Sequence, residues 1–286
     1  MPIDQPLVSI ITPSFNHGAF IRDAIDSVLA QDYPQIEYLV VDGGSTDGTL
    51  EILRSYGARV RWISEQDAGQ ADAINKGARM TSGALLAWMN ADDRYLPQAL
   101  SRAVAELRAD PRAGFVYGQA GFIDRDGRAI GPCAQVEPFD LDRLVNELDF
   151  VVQPATLMRR AAFLAVGGLD AGLRYCLDYD LWIKLALRYP VRYLPTQLAE
   201  VRVYPATKTA SGGIERLNEI ERMISRYGRS RLPGLFYGEM IKASWRTGLR
   251  ALAAGDWAGA WSCWRRSAFY SVAFVSRKAK LRPKGT

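Results

Sequence analysis

Apolar positions in the N-terminal part of the chain follow two periods in turn. Unbroken apolar or β-branched runs at 7–12, 38–41, 60–64 and 85–89 are typical of buried strands. Apolar residues then recur every three or four positions over 19–31, from 50 onward, over 70–80 and over 97–108, which predicts amphipathic helices. Strands that alternate with helices in this way indicate a mostly parallel sheet with helices on both faces.

The pattern changes after Pro111. Apolar runs at 115–117 and 121–123 lead into Asp126-Gly127, a strong turn signal, and predict a hairpin. Further along, the pattern predicts a strand, a short helix, a longer helix and an extended segment, at 150–158, 159–166, from 177 and at 193–204. Three more helices are expected near 214–227, 235–254 and 257–275. We therefore expect an α/β domain over 1–205 and a helical extension over 206–286.

Composition narrows the chemistry. Hydrophobic content of 48% and charged content of 23% are typical of a globular protein. The three cysteines are scattered and odd in number, so neither a disulfide framework nor a cysteine-based zinc site is expected. With His17 as the single histidine, a site built from several histidines is excluded, and a reaction must run mainly on carboxylates. The first residues lack the features of a signal peptide, so the chain is expected to start in the cytosol.

Charge is segregated along the chain. Residues 226–286 hold thirteen Lys/Arg and two acids, a net charge of +11, and the rest of the sequence carries −6. The basic segment is also rich in tryptophan, which fits a helix lying on an anionic membrane surface, with nucleic acid the less favoured partner. Arg265 and Arg266 interrupt its most apolar stretch and argue against a membrane span. The alternative is that these aromatic residues cover the back of the domain or a dimer seam.

Polar residues follow each of the first four predicted strands, at 13–14, 42–44, 65–67 and 90–93. Because ligands bind at the carboxyl ends of parallel strands, these residues predict a site at one edge of the sheet. Asp92 and Asp93 are costly to hold together unless a cation neutralises them, and carboxylate oxygens suit Mg²⁺ or Mn²⁺, which bind diphosphates. The alternative for the pair is a helix cap before Pro97.

An ordered set of segments resembles the family 2 glycosyltransferases with the GT-A fold. The segments span about residues 6 to 205 and read VSIITPSFN (8–16), QDYP (31–34), EYLVVDGGSTDGT (37–49), NKG (75–77), NADD (90–93), VGGLD (166–170) and LDYDLW (177–182). The resemblance implies a Rossmann-like, mostly parallel sheet flanked by helices, with a nucleotide-binding half at 1–110 and an acceptor half at 111–205. The helical extension lies outside it.

The resemblance also implies roles for particular residues on the donor side. It assigns the nucleotide to a first loop, and contacts with the base or ribose to two acids; these residues are Pro13, Ser14 and Asn16, then Asp42 and Asp67. Gln70 is expected to face the donor if its helix begins at Gly69. Asp93 is expected to ligate Mn²⁺ or Mg²⁺, and Asp92 to share the cation or reach the ribose or sugar.

On the acceptor side, the resemblance implies that Asp178 is the catalytic base. Many relatives have Glu-Asp where this chain has Leu177-Asp178, and Asp180 is the candidate to replace the missing acid. Gln153 and Thr156 either line the acceptor pocket or pair within the sheet. A single base and one displacement give inversion at the anomeric carbon.

The function expected from this sequence is an inverting, metal-dependent glycosyltransferase. It would use a UDP-, GDP- or dTDP-linked sugar and a glycan or lipid-linked acceptor, in cell-surface polysaccharide biosynthesis. It would act in the cytoplasm, as a peripheral protein of the membrane's cytosolic face. The alternatives are a nucleotidyltransferase, disfavoured because the first loop lacks Gly-rich and basic character, and a non-catalytic glycan-binding module, disfavoured by the acidic strand ends.

Overall fold

The structure is a computed structural model that describes residues 5–133, 135–228 and 232–281, with side chains up to residue 276. The expectations that rest on the first four residues, and on the charges of residues 229, 231, 282 and 284, lie outside the described residues. The chain divides into two compact units. The first runs to Phe139 and resumes over Phe150–Tyr204, and the second comprises Asp140–Asp149 and the chain from Pro205 onward.

In the described residues, one mixed sheet of nine strands forms the centre of the first unit. The strands are β1 (Val8–Ser14), β2 (Ile36–Asp42), β3 (Arg61–Ser64), β4 (Leu85–Trp88), β5 (Arg94–Tyr95), β6 (Phe115–Ile123), β7 (Ala129–Pro132), β8 (Thr156–Arg159) and β9 (Val191–Arg202). Their order is β3-β2-β1-β4-β8-β6-β9-β5, with β7 beside β6. The first four strands are parallel, whereas β8 runs antiparallel to both β4 and β6.

Helices cover the sheet. In the first unit they are α1 (Ile21–Leu29), α2 (Thr49–Ser55), α3 (Gln70–Met80), α4 (Ala99–Ala109), α6 (Arg160–Ala165) and α7 (Leu177–Ala186), with α5 (Leu141–Asn146) in the second unit. A cluster of buried apolar residues joins β1, β2 and β4 to α1 and α4. Trp182 of α7 stacks between Trp88 of β4 and Phe115 of β6, at centroid distances of 5.7 and 5.2 Å. This packing fixes the strands whose polar ends are described below.

Three local predictions differ from the structure. Arg94 and Tyr95, which precede the helix predicted over 97–108, form a short strand that was not predicted, because they pair with Glu200 and Ala199 of β9. The strand expected at 150–158 is shorter, since Gln153–Ala155 forms a 3₁₀ turn and β8 begins only at Thr156. The short helix α5 was not predicted.

Helices make up the second unit, as the pattern after residue 206 predicts. Besides α5 it contains α8 (Lys208–Ser211), α9 (Gly213–Ser225), α10 (Tyr237–Ala253) and α11 (Trp257–Leu281). Arg266 and Tyr270 of α11 both bond to Glu221 of α9. The backbone of Gly248 in α10 lies so close to Trp264 that an added Cβ would fall 2.5 Å from the indole nitrogen. In the described part of the chain, every helix falls short of the combination of length and apolar character that a bilayer span requires.

Candidate active site

The ends of β1, β2, β3 and β4 lie side by side, because the four strands are parallel neighbours. We call the residues that follow them the rim: 13–16, 42–47, 65–70 and 90–93. The Gly43 N–H donates to the Ser14 carbonyl at 2.8 Å, and the Asn16 N–H donates to the Ser45 hydroxyl at 2.7 Å. The Asn16 side chain in turn accepts from the Thr46 N–H at 2.8 Å. The rim after β1 and β2 is thus one hydrogen-bonded structure.

The first rim loop combines a buried and an exposed part. Pro13 and Ser14 are buried, and the Ser14 hydroxyl has no hydrogen-bond partner among the described residues. Asn16 is exposed and holds a left-handed backbone, with φ of 55°. Asparagine tolerates that conformation better than most residues do. The loop therefore combines a buried hydroxyl that has no partner among the described residues with an exposed polar turn.

Asp42 lies differently from the prediction that it contacts a base. Its side chain is fully buried and accepts four hydrogen bonds, from the Gly44 and Ser45 N–H groups and from the hydroxyls of Ser45 and Ser64. A carboxylate has about four acceptor positions, so these donors use its capacity. The structure therefore argues against a base contact: Asp42 shapes the loop from inside.

The Asp67 carboxylate lies against the backbone of Gly43, where a side chain at position 43 would otherwise be. A Cβ added to Gly43 would lie 3.0 Å from an Asp67 carboxylate oxygen, so the absence of a side chain at 43 leaves room for this acid. Asp67 is partly exposed and accepts the Gly69 N–H at 2.8 Å. Gln70, the first residue of α3, donates to the Asn90 side chain at 2.8 Å and connects the third and fourth rim segments.

Asp93 is the inner member of the acidic pair. Its side chain is 4% exposed, and its two oxygens accept hydrogen bonds from the Asn90 side chain and the Arg202 N–H, both at 2.9 Å. Burial, and then the charge of Asp92, raise the pKa of Asp93 well above its ordinary value. Each oxygen of Asp93 accepts one hydrogen bond and keeps a further acceptor position, so the assignment of Asp93 as a metal ligand stays a prediction.

Asp92 is the outer member of the pair. It is partly exposed, and in the described part of the chain its carboxylate accepts one hydrogen bond, from the Tyr204 hydroxyl to Oδ2 at 3.0 Å. The Tyr204 ring packs against Phe20 at a centroid distance of 5.0 Å, which fixes the hydroxyl. Burial, followed by the charge of Asp92, raises the pKa of Tyr204, so the phenol stays protonated and donates.

Arg202, which the sequence analysis missed, holds this corner together. Its side chain is 1% exposed, and its guanidinium donates to the Asp92 carbonyl at 2.9 Å, to the Arg125 carbonyl at 2.8 Å and to the Asp23 carboxylate at 2.8 Å. Its own N–H donates to Asp93. A signal was present, since Glu200, Arg202 and Tyr204 alternate with apolar residues near the end of a predicted strand.

The acidic corner, which contains Asp92 and Asp93, fits a divalent cation that takes only one or two ligands from the protein. Across the described residues, no group of three or more His, Cys, Asp or Glu side chains converges as a self-sufficient metal site. Mg²⁺ and related cations bind through one or two carboxylates and take their other ligands from substrate phosphates and water. Asp92, with Oδ1 accepting no hydrogen bond from the described residues, supplies a hard oxygen ligand of this type.

The first turn of α7 carries Asp178 and Asp180, and their environments differ. Asp178 is partly exposed, and its Oδ1 accepts the Tyr179 N–H at 2.9 Å. Asp180 is 2% exposed and forms an ion pair with Lys184 at 3.0 Å. An acid paired inside the protein cannot touch an acceptor, so the predicted acceptor role of Asp180 is corrected to a structural one.

The other two predicted acceptor residues lie in the interior near the end of β4. Gln153 is 7% exposed and donates to the Trp88 carbonyl at 2.7 Å, and its side-chain oxygen has no partner within the described residues. Thr156 is 3% exposed and donates to the Gln153 carbonyl at 2.7 Å. Thr156 therefore pairs within the sheet region, which is the alternative that the sequence left open, and the acceptor role of Gln153 stays a prediction.

Known proteins share this sheet and this ordered set of segments. A family model described as glycosyl transferase family 2 matches residues 9–167. An uncharacterised glycosyltransferase of Rickettsia typhi is 32% identical over 227 residues, which are 77% of this chain and 71% of that protein. The chain therefore belongs to glycosyl transferase family 2, and it is a glycosyltransferase.

Solved structures agree on the fold. The mannosyltransferase PcManGT from Pyrobaculum calidifontis, in complex with GDP-Man and Mn²⁺, superimposes with a TM-score of 0.63 at 20% identity, over 99% of this chain and 82% of that one. TarS of S. aureus, in complex with UDP-GlcNAc, superimposes with a TM-score of 0.61 at 15% identity, over 90% of both chains. The predicted GT-A fold is confirmed.

Proposed function

We propose that this protein is an inverting, metal-dependent glycosyltransferase that moves a sugar from a nucleotide-diphosphate donor to a hydroxyl of a glycan or lipid-linked acceptor, in cell-surface polysaccharide biosynthesis. The observation that carries the proposal is the rim, where the partly exposed carboxylate of Asp92 lies beside the buried one of Asp93 at the end of β4. The nucleotide sugars bound by PcManGT and TarS support the donor class. The reaction is proposed to run at the cytosolic face of a membrane.

The donor nucleotide is assigned to the rim after β1, β2 and β3. The exposed turn at Asn16 and the unpaired hydroxyl of Ser14 offer polar contacts next to Pro13. Asp67 fills the space above Gly43 and presents a partly exposed carboxylate, so it is the acid proposed to accept hydrogen bonds from the base or ribose. Asp42 acts beneath them by holding the loop.

The cation is assigned to Asp92, with the buried carboxylate of Asp93 beside it as the second candidate ligand. A divalent cation held there would supply positive charge against the charge that develops on the departing diphosphate. The hydrogen bond from Tyr204 orients the Asp92 carboxylate, and the Arg202 guanidinium fixes the backbone that carries it. The protein thus holds one ligand rigidly and leaves the remaining positions to phosphate oxygens and water.

Asp178 is the proposed general base, which takes the proton of the acceptor hydroxyl as the new glycosidic bond forms. It is partly exposed at the start of α7, and Trp182 one turn later stacks on Trp88 of β4. Because one base assists one displacement, the anomeric configuration is inverted. The helix N-terminus stabilises the anion of Asp178 and weakens it as a base.

The test is a transfer assay with a panel of UDP-, GDP- and dTDP-linked sugars, with and without Mn²⁺, on wild-type protein and Asp178→Asn. We expect one donor class to react, only with metal, and the variant to lose most of the turnover while its thermal stability and nucleotide affinity stay unchanged. NMR of the fresh product should show an inverted anomeric centre. Turnover of Asp178→Asn near that of wild type, or a retained configuration, would contradict the proposal.

A further inference from the structure

The second unit exposes an apolar surface that its own packing does not need. On α11 the residues Trp257, Trp261, Val272 and Val275 are 72%, 64%, 68% and 66% exposed. They are separated by three, four or sums of these numbers, so they share one face of the helix together with Arg265. At 1.5 Å per residue this stripe is about 27 Å long.

The neighbouring helix continues this surface. Trp245 and Leu249 of α10 are 50% and 55% exposed and lie four residues apart, on one face of that helix. The Trp245 ring packs against Trp264 of α11 at a centroid distance of 5.6 Å. This contact joins the exposed faces of α10 and α11, which follow each other in the sequence and form a helical hairpin. We call the combined surface the hairpin face. It consists of Trp245, Leu249, Trp257, Trp261, Val272 and Val275.

Arginines in the same two helices fall into two groups. Arg266 points inward and pairs with Glu221 of α9. Arg246, Arg250 and Arg265 are exposed, and none of the three has a carboxylate within ion-pairing distance among the described residues. Residues 237–281 contain eight Lys/Arg and two acids, which leaves the hairpin strongly positive. The hairpin face therefore sits among unpaired positive charges.

We propose that the hairpin face lies flat on an anionic lipid surface, with its tryptophans at the headgroup level. Tryptophan and arginine are the residues enriched at membrane interfaces, and an amphipathic helix with an apolar face and basic flanks lies in the interface plane. Arg265 falls in the middle of the α11 stripe, where it can reach headgroup phosphates from a helix lying parallel to the surface but not from one crossing the bilayer. The surface of a second copy of this chain is the poorer fit, because two faces of like charge repel.

The test is co-sedimentation of the full-length protein with lipid vesicles, either phosphatidylcholine alone or phosphatidylcholine and phosphatidylglycerol in equal parts, at about 50 mM and about 500 mM salt. Binding to the anionic vesicles is expected at low salt, with a large loss at high salt and on neutral vesicles. Trp257→Ser combined with Trp261→Ser should weaken binding roughly tenfold or more, because two apolar contacts with the lipid are lost. Both side chains are exposed, so their replacement should leave the fold intact.

Two further variants separate charge from apolar contact. Arg246→Gln, Arg250→Gln and Arg265→Gln together should weaken binding roughly a hundredfold and flatten its salt dependence, since each basic residue near an anionic surface contributes a factor of about five. The matched control is Ile130→Ser with Leu187→Ser, which removes two apolar side chains of similar exposure, 60% and 58%, from the first unit. The control should bind as wild type does.

Three outcomes would overturn the proposal. Equal binding to neutral and anionic vesicles removes the role of charge, and equal losses in the tryptophan and control variants remove the role of the hairpin face. The face is assigned to a second copy if analytical ultracentrifugation shows a dimer of the full-length protein, Trp257→Ser and Trp261→Ser dissociate that dimer, and no vesicle binding is seen. Vesicle binding is measured without donor or metal, so it stands or falls separately from the proposed glycosyl transfer.

Discussion

Replacing Asp42 by Asn tests whether this carboxylate shapes the rim or contacts the nucleotide. In the structure it is fully buried and accepts four hydrogen bonds, two from backbone N–H groups and two from the hydroxyls of Ser45 and Ser64. Asparagine has nearly the same shape but only one acceptor oxygen and no charge. Its oxygen can serve the three donors around Oδ2, and its NH₂ group then faces the Ser45 hydroxyl.

The expected cost follows from the change in hydrogen-bond type. Bonds to a charged acceptor contribute about 1.5–3 kcal/mol and neutral ones about 0.5–1.5 kcal/mol, so weakening three bonds by about 1 kcal/mol each gives a loss near 3 kcal/mol. For a chain of this size that corresponds to a melting temperature roughly 6–12 °C lower. Because the weakened hydrogen bonds lie within the protein, the loss of stability should appear without any ligand.

The assay is thermal unfolding without ligand, followed by nucleotide titration, and Asp67→Asn is the matched control. Asp67 is partly exposed and accepts one hydrogen bond, from the Gly69 N–H, so its variant should melt within about 2 °C of wild type and lose nucleotide affinity. The reasoning is refuted if Asp42→Asn keeps the wild-type melting temperature and loses more nucleotide affinity than Asp67→Asn does. Asp42 would then be a base contact after all.

Three further changes test other contacts. The pKa of Glu37 is depressed: burial acts to raise it, but hydrogen bonds from Ser82, Ser9 and Gly83 lower it by more. Its stabilisation is therefore full near neutral pH and lost as pH falls through that depressed pKa. In denaturant titrations the free energy of unfolding of wild type should exceed that of Glu37→Gln by about 1 kcal/mol near neutral pH, and the difference should disappear once the pH is below the depressed pKa. Tyr204→Phe keeps the ring on Phe20 but removes the donor to Asp92, and the Mn²⁺ concentration for half-maximal turnover should rise about tenfold; no change would remove Tyr204 from the site. Gly248→Ala should lower the melting temperature because its Cβ meets Trp264, whereas Gly238→Ala, with open space on the same helix, should raise it slightly; equal effects would contradict the close packing.

The repeating first half of the fold was readable from local pattern. The β1, β2 and β4 runs are continuous and apolar because those strands are buried on both faces, and α3 was predicted with its observed bounds, Gln70–Met80. The position of β8 between β4 and β6, and the pairing of Arg94 with Glu200, depend on contacts between residues far apart in sequence. No local periodicity reports such pairings.

The site residues likewise divide into features that the local sequence shows and features that depend on contacts between distant residues. That Asp92 and Asp93 end a strand was visible in the sequence, but which of the two is buried depends on Arg202, about 110 residues later. The buried environment of Asp42 was not visible in the sequence, because the hydroxyl of Ser64 reaches it from a neighbouring strand. The ion pair of Asp180 with Lys184, by contrast, has helical i, i+4 spacing and was available from sequence alone.

Calorimetric titration of UDP, GDP and dTDP into the protein, with Mn²⁺ and with a chelator, tests the central claim most directly. Wild type should bind one of them at least about tenfold more tightly with the metal, because phosphate oxygens and Asp92 share the cation. Asp92→Asn should lose that gain while it melts as wild type does, and Asp126→Asn, an exposed acid in a turn, should keep it. Binding that is indifferent to Mn²⁺, or an undiminished gain in Asp92→Asn, would contradict the account.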